Sequence, residues 1–375
     1  MQLLHVVAAR PNFMKAAPVL RAFAAHPDVS QTLVHTGQHY DRNMSDIFFD
    51  QLRIPRPDVN LQVGSGSHAQ QTAQVMSRLE PVILRHAPDW VIVYGDVNST
   101  AAAALVCAKL QVKIAHVEAG LRSFDRSMPE EINRIVTDQL ADLLLTPSCD
   151  GNDNLLREGI PAERICLVGN VMIDTLLRLL PLAESHRVSG LPDRYALVTL
   201  HRPANVDEGP FLLDFLDTLC DIGQDLPVIF PVHPRTRQRI ANFPLAQNGK
   251  NGLRLMDPLS YLEFLGLLET ATVVITDSGG IQEETTFLGV PCITVRENTE
   301  RPVTVTLGSN VLVGRDVHRL RQELQRIVLG HRPEARVPPL WDGHAAERIV
   351  SELLSREIAF EDLSLVKKAT VSATI

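Results

Sequence analysis

Short apolar runs alternate with helix-forming stretches along almost the whole chain, and this alternation limits the fold more than any other feature of the sequence. Each run has the length and the β-branched content of a buried strand. Strands that alternate with helices form parallel sheets with right-handed crossovers, so the sequence predicts an α/β protein with two doubly wound domains. In chain order the predicted strands are LLHVVAA, QTLVHTG, WVIVYGD, KIAHVEA, LLLTPS and ICLVGN, then YALVTL, PVIFPVH, LRLMDPL, TVVITDS, PCITVR and NVLVG.

The length of 375 residues exceeds that of one ordinary domain and is enough for two, each with its own core. The segment Pro181–Arg194 is the longest stretch of mixed polarity and turn residues between predicted strands, so a domain boundary is expected near it. We predict an N-terminal Rossmann-like domain over residues 1–169 and a C-terminal one over residues 170–357. A helix at residues 358–375 is expected to pack back on the N-terminal domain.

Composition is that of an ordinary globular protein, with 45% hydrophobic and 21% charged residues. The 36 basic and 44 acidic residues give a net charge of −8, which argues against broad contact with nucleic acid or an anionic membrane. The N-terminal apolar run follows no basic segment, and no stretch reaches the apolar length that spans a bilayer. We therefore expect a cytoplasmic protein that binds neither nucleic acid nor membrane.

The five cysteines are odd in number, widely spaced and mostly in apolar surroundings, which predicts reduced thiols in the core. They are Cys107, Cys149, Cys166, Cys220 and Cys292. No Cys or His pair has the spacing of zinc ligands, so no metal is expected. The sequence has neither G-x-G-x-x-G after the first strand nor a P-loop, so it supports neither dinucleotide oxidoreduction nor P-loop phosphoryl transfer, and we predict no cofactor.

The stretch DSGGIQEE follows a predicted strand and opens a predicted helix. Unpaired N–H groups at such a helix start bind phosphate, and Gly279 and Gly280 let a diphosphate approach without a Cβ in the way. Glu283 or Glu284, one turn further in, can then accept hydrogen bonds from sugar hydroxyls. The alternative is structural: Ser278 caps the helix and the acidic residues only complement its dipole.

Basic residues follow the first predicted strand, at the edge where open α/β sheets bind ligands. Arg10 and Lys15 flank a proline there and suit a cationic grip on phosphate, with a position on the helix surface as the alternative. Two histidines end strands of the second half in the same way, His201 before Arg202, and His233 in VHPR. A lone histidine at a strand end is more often a local hydrogen-bonding group, whereas two on one rim favour a role in the site.

Four carboxylates are candidates for acid and base chemistry: Asp96 and Glu118 after strands, and Glu130 and Glu131 at the start of PEEINRIVTDQL. Carboxylates brought close together in a cleft have pKa values pushed apart, so that one accepts a proton while another donates one. For the two glutamates the alternative is the acidic first turn that any helix favours.

The loop RENTERP follows a strand of the second half and carries Arg296, Glu297, Glu300 and Arg301. We expect this charged loop at the same rim as the glycine turn, where Arg301 binds substrate; a solvated ion-pair network is the alternative. Carboxylates, basic groups and a phosphate turn, without a redox centre, favour proton transfer or elimination on a nucleotide-linked substrate.

Ten motifs in order resemble those of the non-hydrolysing UDP-N-acetylglucosamine 2-epimerases and cover nearly the whole chain. They are ARPNFMKAAP, TGQHYD, YGDVNST, HVEAGLRS, MPEEINR, GNVMIDTL, LHRPANV, DPLSYLEF, TDSGGIQEE and RENTERP. The resemblance implies a GT-B fold, in which two Rossmann-like domains hold the nucleotide in the cleft between them and the C-terminal domain binds UDP. It also implies reversible epimerisation at carbon 2 of UDP-N-acetylglucosamine (UDP-GlcNAc) to UDP-N-acetylmannosamine (UDP-ManNAc), through UDP elimination to 2-acetamidoglucal and re-addition.

The resemblance also extends to individual residues. The predicted catalytic residues are Asp96, Glu118, Glu130 and His201, with Asp96 and Glu118 as equal candidates for the base that takes the first proton. The family, together with the strand-end residues above, gives the predicted substrate-binding residues Arg10, Lys15, Arg134, His233, Ser278, Gly279, Gly280, Glu284 and Arg301. A homodimer and a role in polysaccharide biosynthesis are expected from the family.

Several related activities fit the same motifs. Relatives act on modified UDP-sugars, including diacetamido uronic acids. A hydrolysing epimerase releases free ManNAc and is expected to differ at RPNFMK, which this chain keeps. A GT-B glycosyltransferase shares the fold but needs an acceptor pocket, whereas Asp96, Glu118 and Glu130 favour epimerisation. A catalytically silent sensor would bind the UDP-sugar and exchange no proton.

Overall fold

The computed structural model describes residues 1–37, 52–232, 234–240 and 252–357. His233 and the helix predicted at residues 358–375 lie outside the described residues, and so does the side chain of Arg10.

The chain divides into two compact units. Unit 1 is Met1–Thr175 together with Pro339–Ile375, and unit 2 is Leu176–Pro338. The domain limits drawn from the sequence, at residues 169 and 357, stay a prediction. Each unit is described by itself below.

The described part of unit 1 contains seven parallel strands: β1 (Gln2–Val7), β2 (Ser30–His35), β3 (Val59–Asn60), β4 (Trp90–Tyr94), β5 (Lys113–Val117), β6 (Leu143–Thr146) and β7 (Ile165–Leu167). They form one sheet in the spatial order β3-β2-β1-β4-β5-β6-β7. The register sets Val6 opposite both Val34 and Val93. The strands at the centre of this sheet are nearly continuous buried apolar runs, as parallel sheets require.

The helices of unit 1 connect these strands. They are α1 (Arg10–Ala24), α2 (His68–His86), α3 (Asn98–Leu110), α4 (Pro129–Leu140), α5 (Cys149–Arg157) and the first part of α6 (Val171–Ala183), and residues 345–357 are also helical. Helix α2 shows the local reasons for a helix start: the Ser67 hydroxyl accepts the N–H of Gln70 at 3.3 Å, and the Gln70 side chain accepts the N–H of Ser67 at 3.2 Å.

Among its described residues, unit 2 contains six parallel strands: β8 (Ala196–Thr199), β9 (Val228–Pro231), β10 (Leu253–Met256), β11 (Val273–Thr276), β12 (Cys292–Thr294) and β13 (Asn310–Leu312). Their spatial order is β10-β9-β8-β11-β12-β13. The helices are α7 (Pro203–Val206), α8 (Gly209–Ile222), α9 (Pro234–Ile240), α10 (Tyr261–Thr270), α11 (Gly279–Leu288), α12 (Val303–Thr306) and α13 (Val317–Val328). No helix in the described part of the chain combines the length and the apolar character needed to cross a membrane.

All twelve predicted strands are present, and the prediction of an α/β protein with two doubly wound parallel sheets is confirmed. The sheet of unit 1 has one additional strand, β3, at its edge. Only Val59 and Asn60 form this strand, so the sequence there shows neither an apolar run nor an alternating pattern that would predict it.

Each unit has its own apolar core. In unit 2, Phe215 and Leu219 of α8 and Leu324 of α13 belong to the same cluster as Val228 and Ile275 of the sheet. Full burial of a side chain of this size contributes about 1.5–3 kcal/mol, so clusters of this extent hold the strand ends in fixed positions.

The cysteines only partly follow the prediction of core thiols. Cys107, Cys220 and Cys292 are buried, and burial raises the pKa of the Cys107 thiol to about 12. Cys166 is half-buried, and Cys149 is exposed at the first residue of α5. For Cys149 the prediction is wrong, because this residue lies between Ser148 and Asp150 at the helix start and faces solvent.

Candidate active site

Both sheets contain a point where the strand order reverses. In unit 1 it lies between β1 and β4, and in unit 2 between β8 and β11. Ligands of open α/β sheets bind outside the carboxyl ends of the strands at such points. The loops that leave these four strands begin at Ala8, Gly95, Leu200 and Asp277.

Lys15 on α1 and Glu118 after β5 form a buried ion pair, although they are 103 positions apart in the chain. Each residue is 6% exposed, and Lys15 Nζ donates to Glu118 Oε2. A buried charge is costly unless it is paired and hydrogen-bonded, so each side chain depends on the other. Glu118 also has a φ of +72°, a strained conformation for a residue with a side chain, and such strain concentrates at functional sites.

Gly95, directly after β4, leaves room for this ion pair. Its φ is +60°, and a Cβ at this position would lie 2.6 Å from Lys15 Nζ and 3.1 Å from Glu118 Oε2. Any side chain here would therefore displace the ammonium group as well as strain the backbone. No local sequence pattern marks Gly95, because the need for a glycine arises from side chains on two other elements.

Arg134 on α4 links two carboxylates. Its Nε and Nη2 donate to Asp96 Oδ2 at 3.0 and 2.6 Å, and its Nη1 donates to Glu131 Oε2 at 2.6 Å. Arg134 and Glu131 are buried, whereas the side chain of Asp96 is 24% exposed. Asp96 is therefore the carboxylate of this group that solvent reaches.

The two glutamates at the start of α4 differ in their surroundings. Glu131 is buried and accepts the N–H groups of Ser123 and Phe124 at 3.0 and 2.9 Å, so it fixes the loop before the helix. Glu130 is half-buried, and within the described ranges no hydrogen bond or ion pair engages its side chain. The structural alternative thus applies to Glu131, and Glu130 is accessible to a ligand.

A buried charged network supports the loops after β4 and β5. His116 on β5 contacts Asp138 Oδ1 through Nδ1 at 2.6 Å and the carbonyl oxygen of Gly95 through Nε2 at 2.8 Å. Arg122 Nη1 donates to Asp138 Oδ2 at 2.7 Å. Burial alone would raise the pKa of Asp138, but the charges of His116 and Arg122 hold it below its ordinary value. Through its two ring nitrogens His116 therefore connects Asp138 on α4 with the loop after β4.

Asn12 joins the two loops at the reversal point of unit 1. Its Oδ1 accepts the N–H groups of Ala8 and Ala9, both at 3.2 Å, and its Nδ2 donates to the carbonyl oxygen of Tyr94 at 2.8 Å. Asn12 belongs to the motif ARPNFMK, but its position in a helix start does not indicate that its side chain contacts the end of a second strand.

In unit 2, the buried Asp277 organises the loop after β8. Its carboxylate accepts the N–H of Arg202 at 2.9 Å and Nδ2 of Asn205 at 3.0 Å, and it contacts His201 Nδ1 at 2.9 Å. Burial acts to raise the pKa of Asp277, but the hydrogen bond and charge of His201 hold it below its ordinary value. The His201 side chain is 58% exposed, and no hydrogen bond from the described residues engages its Nε2. A histidine oriented in this way by a carboxylate is suited to accept or donate a proton.

The glycine turn begins helix α11 directly after Asp277. Ser278 forms no side-chain capping hydrogen bond within the described residues, so the structural alternative for this serine is wrong. At Gly279 a Cβ would lie 2.4 Å from Arg301 Nη1 and 2.8 Å from Glu300 Oε1. This glycine therefore makes room for the charged loop in addition to keeping the helix N-terminus open.

The charged loop RENTERP packs against α11 as a buried network. Arg301 Nη1 contacts Glu300 Oε1 at 2.5 Å and Arg301 Nε contacts Glu283 Oε1 at 2.8 Å, while Arg296 Nη2 contacts Glu300 Oε2 at 2.6 Å. All four residues are buried. The alternative of a solvated ion-pair network is wrong for these residues, because the short loop folds their charges inward against Gly279.

Glu284, further along α11, is 3% exposed and accepts the hydroxyl of Tyr261 at 2.7 Å. Burial raises the pKa of Glu284 to about 7; the hydrogen bond from Tyr261 acts in the opposite direction, and the charge of Glu283 adds to the rise. Glu284 therefore changes its charge near neutral pH.

The predicted residues gather in one group in each unit. Unit 1 brings together Lys15, Asp96, Glu118 and Arg134, with Glu130 on the same helix as Arg134. Unit 2 brings together His201, Ser278, Gly279, Gly280, Glu284 and Arg301. Arg10 begins α1, but its side chain and His233 lie outside the described residues. In the described ranges no cluster of three or more His, Cys, Asp or Glu residues could hold a metal ion.

Comparison with known proteins assigns the family. The family model described as UDP-N-acetylglucosamine 2-epimerase matches residues 21–354. The chain belongs to the UDP-N-acetylglucosamine 2-epimerase family. The resemblance of its ten motifs is confirmed, and so are the predicted isomerase class and the GT-B fold class.

Individual relatives agree with this membership in the UDP-N-acetylglucosamine 2-epimerase family. The UDP-N-acetylglucosamine 2-epimerase of Methanocaldococcus jannaschii is 42% identical over 361 residues, which cover 93% of this chain and 98% of that protein. The UDP-2,3-diacetamido-2,3-dideoxy-D-glucuronate 2-epimerase of Pseudomonas aeruginosa is 46% identical over 317 residues, covering 84% and 88%. The crystal structure of the M. jannaschii epimerase in complex with UDP-GlcNAc and UDP superposes with a TM-score of 0.85 at 41% identity, over 95% of this chain and 100% of that one.

Proposed function

We propose that this chain interconverts UDP-GlcNAc and UDP-ManNAc without releasing the free sugar. A carboxylate removes the proton at carbon 2, the electrons of that C–H bond form the C1=C2 double bond, and the C1–O bond breaks with its electron pair leaving on UDP. The intermediate is 2-acetamidoglucal. A proton then adds to carbon 2 on the other face and UDP re-adds to carbon 1, so that protons and electrons balance over the cycle.

The observation that carries this proposal is the group of charged side chains at the reversal point of unit 1. Exchange of a proton on two faces of a sugar ring needs two acid–base groups in different environments. Glu118 is buried and paired with Lys15, whereas Asp96 is partly exposed and bonded to Arg134. We assign the first proton transfer to one of these two carboxylates and the second to the other, with Glu130 as a third carboxylate near the substrate.

The residues of unit 2 suit the UDP part of the substrate. The open N-terminus of α11, with Ser278, Gly279 and Gly280, offers backbone N–H groups and the positive end of a helix dipole to a diphosphate. Glu284 accepts hydrogen bonds from ribose hydroxyls, and His201 is available to the leaving phosphate. We propose that these groups hold UDP while the sugar exists as the glycal, so that UDP can re-add.

Incubation of the protein with UDP-GlcNAc in deuterium oxide tests the proposal, with proton NMR of carbon 2 and the anomeric position as the readout. We expect UDP-ManNAc to appear with deuterium at carbon 2. Release of free ManNAc and UDP would instead identify a hydrolysing epimerase. An unchanged, undeuterated sugar would contradict epimerisation of UDP-GlcNAc and favour a modified substrate, a glycosyltransferase or a UDP-sugar sensor.

A diacetamido uronic acid linked to UDP is the second candidate substrate. The P. aeruginosa relative named for it is 46% identical, against 42% for the M. jannaschii relative named for UDP-GlcNAc. The chemistry at carbon 2 is the same for both sugars, which differ in the acetamido group at carbon 3 and the carboxylate at carbon 6. Comparison of kcat/KM for the two substrates decides between them, and the higher value identifies the better one.

We further propose that the enzyme is a homodimer in the cytoplasm and that its product feeds polysaccharide biosynthesis. Family membership is the support for the dimer and for the role in polysaccharide biosynthesis. Light scattering of the purified chain over a range of concentrations tests the dimer, and a single species with the mass of one chain would contradict it.

A further inference from the structure

Tyr261 and Glu284 join two helices of unit 2 next to the glycine turn. Tyr261 is the first residue of α10 and donates its hydroxyl hydrogen to Glu284 Oε1 on α11 at 2.7 Å. Glu284 is buried and Tyr261 is half-buried. Glu284 follows Gly280 by about one helical turn, so this hydrogen bond reaches an acid one turn away from the proposed diphosphate site.

The hydroxyl of Tyr261 is held in place and acts as a donor. The Ser260 hydroxyl accepts the N–H of Glu263 at 3.4 Å, and Glu263 Oε2 accepts the N–H of Ser260 at 2.8 Å, so a capping box fixes the start of α10. Burial, and then the charge of Glu284, raise the pKa of Tyr261 well above its ordinary value. The hydroxyl therefore keeps its proton at any physiological pH.

The other charged groups near Glu284 do not replace this hydrogen bond. Glu283, its neighbour in the chain, contacts Arg301 Nε at 2.8 Å, and Arg301 also contacts Glu300. Within the described residues Tyr261 is the only side chain that donates a hydrogen bond to Glu284. The carboxylate oxygen that does not receive Tyr261 is thus available to donors of a ligand.

We propose that Tyr261 is a positioning residue for recognition of the UDP ribose: its hydroxyl favours the carboxylate form of Glu284 and orients it so that the second carboxylate oxygen accepts the ribose hydroxyls. The inference rests on the proposed binding of UDP by unit 2. It adds a residue to ribose recognition that touches Glu284 and need not touch the ligand.

A dependence on pH follows from the same contact. The pKa of Glu284 is raised to about 7, and the hydrogen bond from Tyr261 is the interaction that lowers it. Ribose hydroxyls bind the ionised carboxylate more strongly than the protonated one. The ribose contribution to affinity should therefore increase as pH rises through about 7, and removal of the Tyr261 hydroxyl should move that increase to higher pH.

Calorimetric titration with UDP and with 2′,3′-dideoxy-UDP tests the proposal from about pH 6 to about pH 9. The Kd of 2′,3′-dideoxy-UDP divided by the Kd of UDP isolates the contribution of the ribose hydroxyls, because titration of the phosphates is common to both ligands. For the unaltered protein we expect UDP to bind about tenfold more tightly than 2′,3′-dideoxy-UDP at the upper end of this pH range. For Tyr261→Phe we expect the ratio at pH 7 to fall severalfold. The pH at the midpoint of its rise should move upward.

Tyr195→Phe is the matched control. The Tyr195 hydroxyl is buried and donates to the carbonyl oxygen of Leu267 at 2.7 Å, on the same helix α10, with Thr270 Oγ1 at 2.6 Å. This variant loses a buried hydroxyl that is bonded to the same helix without touching Glu284, so its ratio and midpoint should match those of the unaltered protein. An equal change in both variants, or no change in Tyr261→Phe, would overturn the proposal.

Glu284→Gln gives a second route to the same answer with Tyr261 intact. The ratio should become independent of pH, and adding Tyr261→Phe should lower it no further. A ratio in Glu284→Gln that still rises with pH would overturn the proposal. Failure of the unaltered protein to bind UDP would overturn the proposed function as well, whereas UDP binding with a normal ratio in Tyr261→Phe would remove only the role of Tyr261.

Discussion

Units 1 and 2 both place their candidate residues where the strand order reverses, but they use different chemical groups there. Unit 1 presents side-chain charges in pairs, Lys15 with Glu118 and Arg134 with Asp96. Unit 2 presents the N-terminus of α11, which packs against a buried ionic network, together with the exposed side chain of His201. Carboxylates can move a proton, whereas backbone N–H groups can only hold an anion. This difference is the basis of our proposal that unit 1 supplies the proton transfer and unit 2 anchors UDP.

Glu118→Gln tests the role of unit 1 most severely. The amide has nearly the same size but cannot accept the proton, so we expect kcat to fall by about 10³-fold or more. Affinity for UDP, measured by calorimetry, should stay within about threefold because the groups proposed to bind UDP lie in unit 2. A comparable loss of UDP affinity, with the circular dichroism spectrum unchanged, would break the division of labour between the units.

Glu284→Gln tests whether the buried carboxylate of Glu284, in the proposed ligand site, lowers the stability of the protein. The pKa of Glu284 is raised from 4.5 to about 7, so in the folded protein its protonated form is favoured and stability is lost as pH rises from 4.5 through about 7. The glutamine does not titrate. The free energy of unfolding of the variant, relative to that of the unaltered protein, should therefore increase by about 2–3 kcal/mol from pH 5 to pH 8. Urea unfolding of both proteins at the two pH values measures this change, and the same relative stability at both would contradict it.

Gly95→Ala tests the space around the ion pair of unit 1. The added Cβ would lie 2.6 Å from Lys15 Nζ, so we expect kcat to fall by about 10–100-fold and stability by about 1–3 kcal/mol. Gly159→Ala is the matched control, because Gly159 has a φ of +81° and no atom within 4 Å of an added Cβ. The control should lose similar stability and keep its kcat; equal losses of kcat would mean that backbone strain alone is responsible.

Gly279→Ala tests the helix start of unit 2. The added Cβ would lie 2.4 Å from Arg301 Nη1, so the charged loop must shift and we expect KM to rise about tenfold with little change in kcat. Gly209→Ala, also at the first residue of a helix but with no atom within 4 Å, is the control. A fall in kcat larger than the rise in KM would place unit 2 in the chemical step.

Much of this contrast could be read from the sequence, because strand ends are visible as the point where an apolar run meets polar residues. Asp96, Glu118, His201 and the glycine turn all follow such runs, and the structure places them beside the reversal points. The parallel topology brings together the loops after neighbouring strands, so a list of strand ends is already a list of candidates.

The contacts between those candidates could not be read from the sequence. The partnership of Lys15 with Glu118 depends on the left-handed backbone of Glu118 and on the missing Cβ of Gly95, neither of which leaves a local pattern. The hydrogen bond from Tyr261 to Glu284 joins two helices that the chain separates by a strand, so it too required the packed structure. Spacing in the sequence also did not distinguish Glu131, which is buried in a structural role, from Glu130.

The division of labour is tested most directly by the loss of deuterium from UDP-GlcNAc labelled at carbon 2, measured in ordinary water at saturating substrate. We expect the unaltered protein and Gly279→Ala to exchange the label at similar rates, and Glu118→Gln to exchange it at least about 10³-fold more slowly. Rapid exchange in Glu118→Gln, or abolished exchange in Gly279→Ala, would contradict the assignment of proton transfer to unit 1 and of UDP binding to unit 2.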